Sequence, residues 1–170
     1  MNTYTIAVTQ PRKMLANLLT WLDKAVAHAD ARGFSPEVYV ESRLRPDMFP
    51  LRRQIQSACD TAKFLAARLS GVEAPRHPDD EATLAELQGR IQQTIDYLDG
   101  FQPEAFVDAS DRRVEVPALP QGSWVRGEDY TIEFAVPNLV FHLTTTYAIL
   151  RYNGVDLGKR DFIGAMSIRS

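Results

Sequence analysis

His142 has the strongest claim of any residue in this sequence to take part in chemistry. It lies in the stretch Asn138 to Gly154, the most apolar helix-length segment of the chain, with Asn138 one turn before it. An imidazole can ligate a metal, move a proton or hold a ligand by a hydrogen bond. The other candidates are weaker. His28 sits on the polar side of a helical pattern and His77 in a proline-flanked loop; neither has a partner at metal-ligand spacing, so both are expected to be solvated. Cys59 is the single cysteine and cannot form an intramolecular disulfide. Its place in the apolar run Ile55, Ala58, Ala62 marks it as a small buried hydrophobe rather than a reactive thiol. Lys24 follows Asp23 beside an apolar face and is expected at the surface. Trp21, Tyr97, Tyr130 and Tyr147 fall on helical segments, where aromatic side chains line a pocket or, more commonly, fill a core. No G-x-G-x-x-G, Walker-type loop, H-E-x-x-H or G-x-S-x-G pattern is present, which removes support for nucleotide cofactors and common hydrolase chemistry.

The elements that must position His142 follow from periodicity. Leu139, Leu143, Thr146 and Leu150 line one face of the 138–154 segment, and Asn138, His142, Thr145 and Ile149 line the adjacent one. A helix apolar over most of its circumference is buried by other helices on several sides and carries its histidine inward. Gly154 ends it. Residues Thr3 to Ala31 read as a first long helix, with Pro11 as its true start or a kink. Ser35-Pro36-Glu37 opens a short helix to about Leu44, stopped by Arg45-Pro46. Leu51, Ile55, Ala58, Ala62, Leu65 and Leu69 mark a second long helix closed by Ser70-Gly71. Val72 to Asp80 is an exposed loop. Thr83-x-x-Glu86 is a capping box before a third helix that ends at Asp99-Gly100, weakened by Gly89 or open there to a close neighbour.

Between Gln102 and Asp129 the pattern changes to two short alternating runs, Arg113 to Val116 and Ser123 to Arg126, expected as a hairpin that caps the bundle with Trp124 as anchor. Tyr130 to Val136 reads as helix rather than strand, with Pro137 as a kink or restart. Val155 to Gly164 is a tail across the surface. The expected fold is thus mainly all-α: a four-helix bundle with an extra short helix and a small β-hairpin before the last helix, in a single domain over 1–170.

Composition sets the outer bounds. At 170 residues, 45% apolar and a formal charge of -3, the chain has no basic stripe to neutralise phosphates, so nucleic acid is not an expected partner. No run approaches the roughly 18 apolar residues of a membrane span, and the first residues lack a signal-peptide pattern. No membrane partner and a cytoplasmic location are the expectations.

Three stretches carry a family likeness. Arg43-Leu44-x-Pro46-Asp47-Met48-Phe49-Pro50-Leu51, then Phe141-His142-Leu143-Thr144-Thr145-x-Tyr147-Ala148-Ile149-Leu150-Arg151, and Gly158 to Gly164 resemble a bacterial branch of the DinB/YfiT-like metalloenzyme superfamily. That branch is known as a domain of unknown function, and the likeness covers nearly the whole chain. The resemblance implies a DinB/YfiT-type bundle, often a homodimer. It also implies a divalent metal, zinc or nickel, held by three histidines: one on the second helix and two a turn apart on the last. Here those positions fall at Gln54, Asn138 and His142, so two of the three ligands are amides, and amide oxygens are poor ligands for zinc or nickel.

The preferred expectation is therefore a small-ligand-binding or interaction module with a degenerate metal site around His142 and no cofactor. In its bland form, His142 is a buried neutral imidazole bonded to Asn138, Gln54 or a tyrosine. The alternative is a metal-dependent enzyme of hydrolase or thiol-transferase type with a rearranged site, in which His142 is joined by Gln54, Asn138 or Asp47, and Tyr147 lines the ligand pocket. Asp47 precedes the second helix and otherwise serves as a cap or terminal charge. A purely structural dimer is the third possibility; it predicts no cavity beside His142.

Overall fold

The computed structural model describes residues 2–117 and 119–168, so the extreme ends of the 1–170 span, and Ala118 inside the hairpin connection, lie outside the described residues. Four helices form the bundle: α1 (Gln10–Arg32), α2 (Leu51–Ser70), α3 (Leu84–Asp99) and, further along the chain, α5 (Val136–Tyr152). Each of α1 and α2 packs on both α3 and α5, which leaves α1 and α2 diagonal to one another. Leu15, Leu18 and Leu22 of α1 meet Ile55, Leu65 and Leu69 of α2, Leu87, Ile91 and Leu98 of α3, and Leu143 and Leu150 of α5 in one fully buried core. Cys59 is part of that core, and burial pushes its thiol up to about 12, so it stays protonated.

Two prolines fall inside continuous helical paths, and the same device accommodates each. A proline has no N–H, and its ring clashes with the carbonyl four residues back. A π-helical segment, Thr5–Thr9, ends two residues before Pro11, with the Gln10 N–H donating to the Thr5 carbonyl. A second, Tyr130–Ala135, ends two residues before Pro137, with the Val136 N–H donating to the Thr131 carbonyl. Widening the turn to five residues moves the obstructing carbonyl aside. Pro11 thus sits in the first turn of the α-helical part, which begins after Thr9 as expected, while the π segment carries the helical path back before it, and 130–136 is helical. The one-turn helix α4 (Gly127–Asp129) leads into the second segment.

The short helix expected from Ser35 to Leu44 is only a 3₁₀ turn, Pro36–Tyr39, with the Ser35 hydroxyl accepting from the Glu37 N–H. It stops early because α2 has no side-chain cap and claims the next carbonyls. The Arg52 N–H donates to Val40 O at 3.1 Å and the Leu51 N–H to Ser42 O at 2.8 Å. Helix α3 begins as read from the sequence, with the reciprocal Thr83–Glu86 capping box in place.

The hairpin is shorter than expected: β1 (Arg113–Val114) pairs antiparallel with β2 (Val125–Arg126), Arg113 opposite Arg126 and Val114 opposite Val125. Trp124 is not its anchor. Side chains alternate across a strand; the Val114–Val125 pair faces the core, which turns neighbouring Trp124 outward, half-exposed beneath the Arg113 guanidinium at 5.4 Å. Val114 and Val116 plug the bundle instead.

After Gly154 the expected tail packed across the surface includes a short helix, α6 (Lys159–Ile163), which lies on α1. Phe162 stacks on Trp21 with centroids 5.4 Å apart, and the Trp21 indole N–H donates to Asp161 O at 3.0 Å. Lys24 lies at the surface as expected, 2.7 Å from Asp161 Oδ1.

Gly89 faces solvent in mid-α3, and a Cβ built there meets nothing within 4 Å. Gly89→Ala is therefore expected to raise stability by roughly 0.5–1 kcal/mol, about 1–4 °C in Tm. Calorimetry checks this; an unchanged or lower Tm would mean that a neighbour does need the space.

Candidate functional site

The contact of α2 with α5 and with the π segment that leads into it carries a ladder of polar pairs. Gln54 Oε1 lies 2.8 Å from His142 Nδ1, Asn138 Nδ2 donates to Thr61 Oγ1 at 2.7 Å, and Arg68 Nη1 donates to the Tyr130 hydroxyl at 2.9 Å. Numbers rise along α2 while they fall along α5, so the two helices run antiparallel. Gln54, Thr61 and Arg68 recur every seven residues, which returns each to the same helix face about 10.5 Å further along.

The proton positions at the first pair follow from donor and acceptor logic. Gln54 Nε2 donates to the Phe49 carbonyl at 3.2 Å, and a carbonyl can only accept. The other end of that amide is therefore its oxygen, and His142 Nδ1 must carry the hydrogen that meets it. His142 is thus the Nδ1–H tautomer, leaving the Nε2 lone pair with no hydrogen bond among the described residues. Burial holds the pKa of the imidazole below its ordinary value, and the nearby Arg53 charge adds to the effect, so the ring is held neutral.

Beside this ladder lies a cavity of about 270 Å³. His142, Asn138 and Ser57 give it polar walls, and Phe64, Val116 and Phe134 apolar ones. Asp60, Phe64 and Arg68 are shared with a larger, more open cleft of about 720 Å³ between α2, the 72–77 loop and β1.

The donor set does not fit zinc or nickel. One imidazole stands with two carboxamides at the three implied ligand positions; both ends of the Gln54 amide are engaged, and Asn138 is bonded to Thr61. Among the described residues, no three His, Cys, Asp or Glu side chains are grouped to hold an ion.

The family description of a domain of unknown function, DUF1993, matches residues 3–163. The chain belongs to the DUF1993 family. A crystal structure described as a DinB family member protein from Shewanella denitrificans superimposes with a TM-score of 0.94 at 46% sequence identity, over 98% of this chain and 94% of that one. The DUF1993 chain therefore has the DinB-like all-α fold. No curated protein matches it. No helix among its described residues is long and apolar enough to cross a membrane.

Of the residues singled out from this DUF1993 sequence, the structure brings Gln54 and His142 together and places Asn138 one turn along the same cavity wall. It does not bring Asp47 or Tyr147 there. The Asp47 side chain is 80% exposed, 3.8 Å from Arg45. Tyr147 faces α1 and α6, its ring against Trp21 and Phe162. His28 is not solvated but lies 2.6 Å from the Tyr39 hydroxyl, edge-on to Phe34. His77 is also mostly buried, with Nδ1 3.2 Å from Lys63 Nζ; burial first, then Arg90 and Lys63, lower its pKa.

Sequence reasoning missed two features of this DUF1993 bundle. One is the buried ion cluster under the larger cleft, where Arg90 lies 2.7 Å from Asp60, 3.1 Å from Glu81 and 3.1 Å from Asp79, and Lys63 lies 2.8 Å from Asp60. The other is Arg68. The heptad spacing of Gln54, Thr61 and Arg68 was the available signal.

Proposed function

We propose that this DUF1993 protein binds a small molecule in the α2–α5 cavity, with His142 as a neutral hydrogen-bonding group rather than a metal ligand. The supporting observation is the Gln54–His142 hydrogen bond: the amide at the second-helix position uses its oxygen to fix the Nδ1–H tautomer and leaves Nε2 as an acceptor on a ring that lines the cavity. The mixture of apolar walls with a few convergent polar groups is that of a ligand site, and the volume is near the lower end of the usual range, about 300–1,000 Å³. The size suits one ring or a short chain.

Elemental analysis of protein purified without chelator tests this reading. The expected result is a transition-metal content well below one per chain, unchanged in His142→Ala. Stoichiometric zinc or nickel, lost in His142→Ala, would replace this reading with the metalloenzyme alternative.

A further inference from the structure

Resting on the reading that the cavity beside His142 holds a small molecule, we propose that its ligand is a small monocarboxylic acid with an apolar body, bound in ionised form through Arg68. Among the described residues, no carboxylate lies within ion-pair distance of this guanidinium. It is half-buried, 4.8 Å from the Phe64 ring centroid and 5.4 Å from that of Tyr130, and Nη1 is bonded to the Tyr130 hydroxyl. Two aromatic rings and one hydrogen bond fix its plane while other N–H groups stay unspent. A planar fork held in this way is suited to a carboxylate, which it meets with two parallel bonds.

The surroundings select the class of ligand. Tyr130 accepts from Arg68, so its own proton is free to reach the same carboxylate, and burial keeps that phenol protonated. Arg68 is the one cation among the described residues that line this cavity, which matches one positive charge to one negative charge and disfavours a dianion. Asp60 does not offer a competing cation site, because its Oδ1 is held by Lys63 and Arg90. Phe64, Val116, Pro117 and Phe134 supply the apolar walls. The next polar pair along α2, Thr61–Asn138, lies about 10.5 Å from Arg68, room for one ring and its carboxylate.

The test uses benzoate and its neutral counterpart benzamide, titrated into isotopically labelled full-length protein and followed by amide shifts in α2 and α5. Wild type is expected to bind benzoate about tenfold more tightly than benzamide. Arg68→Gln should bring that ratio close to one by weakening benzoate far more than benzamide, and Arg68→Lys should keep part of it. Equal binding of the two probes by wild type, or a preference that survives in Arg68→Gln, overturns the role of Arg68 and leaves the cavity reading standing. If neither probe shifts α2 or α5, both readings fall. Should Arg68→Gln not fold, the wild-type ratio and Arg68→Lys still decide the matter.

Discussion

Arg90→Met is expected to cost the protein about 3 kcal/mol, which lowers Tm by about 6–12 °C. The Arg90 side chain is 1% exposed, and its guanidinium is the shared partner of Asp60, Asp79 and Glu81. Methionine fills a similar space but strands three carboxylates, and removing one side of a buried ion pair typically costs about 3–5 kcal/mol. The lower end applies because these carboxylates keep other partners. Lys63 stays with Asp60, Arg53 with Asp79, and Gln56 donates to Glu81 at 2.7 Å. Against a total stability of about 5–15 kcal/mol, the expected loss is a large fraction. Urea unfolding measures it; a loss under about 1 kcal/mol would show that the cluster is solvated and that the 76–81 segment is not pinned to α3.

Trp21→Ala is the second large effect, expected to cost about 3–5 kcal/mol. The indole is fully buried, stacked on Phe162, edge-on to Tyr147 at 5.9 Å and bonded to Asp161 O. Its removal leaves a cavity between α1 and α5 and takes away the surface on which α6 rests. Hydrogen exchange should then show the amides of 159–164 losing protection before the rest of the bundle. Because Trp21 lines neither cavity, benzamide binding should be unchanged. Protection of α6 retained in Trp21→Ala would mean that Lys24–Asp161 and the Asn17 side chain, which donates to Phe162 O at 3.0 Å, hold it unaided.

The helices were legible because their signals are local. The Thr83–Glu86 box, and the glycines at 33 and 71 that adopt positive φ, act within a few residues of themselves, and the sequence states them directly. The π segments before Pro11 and Pro137 were not legible: a proline announces a problem, and the solution lies in a backbone adjustment that leaves no residue-type signature. Trp124 was misplaced by size, since its direction depends on strand register, which pairs Val114 with Val125 and turns the indole out. His77 looked solvated because Arg90 and Lys63, whose charges act on the buried ring, are on helices that only the tertiary fold brings to its loop. At the candidate site, Asn138 came from the helix pattern and Gln54 from the family likeness; of the three partners expected for His142 the structure selects Gln54, and it gives Asn138 to Thr61 instead. Arg68 was passed over because one arginine on an amphipathic helix is ordinarily a solvated charge; what sets it apart is that Phe64 and Tyr130 hold its guanidinium at the cavity wall, a property of the assembled bundle.

On the proposed reading, one neutral imidazole, protonated at Nδ1 and held by Gln54, takes the place of a metal centre at the α2–α5 interface. Folding favours the uncharged ring, so its pKa must lie below the ordinary value of 6.5. Nitrogen-15 NMR of the His142 ring, followed through a pH titration with and without equimolar zinc, reads both properties at one residue. The account predicts an Nδ1–H tautomer at neutral pH, a midpoint below 6.5, and ring shifts that zinc leaves unmoved. An Nε2–H tautomer, a midpoint at or above 6.5, or a zinc-shifted Nε2 would contradict it.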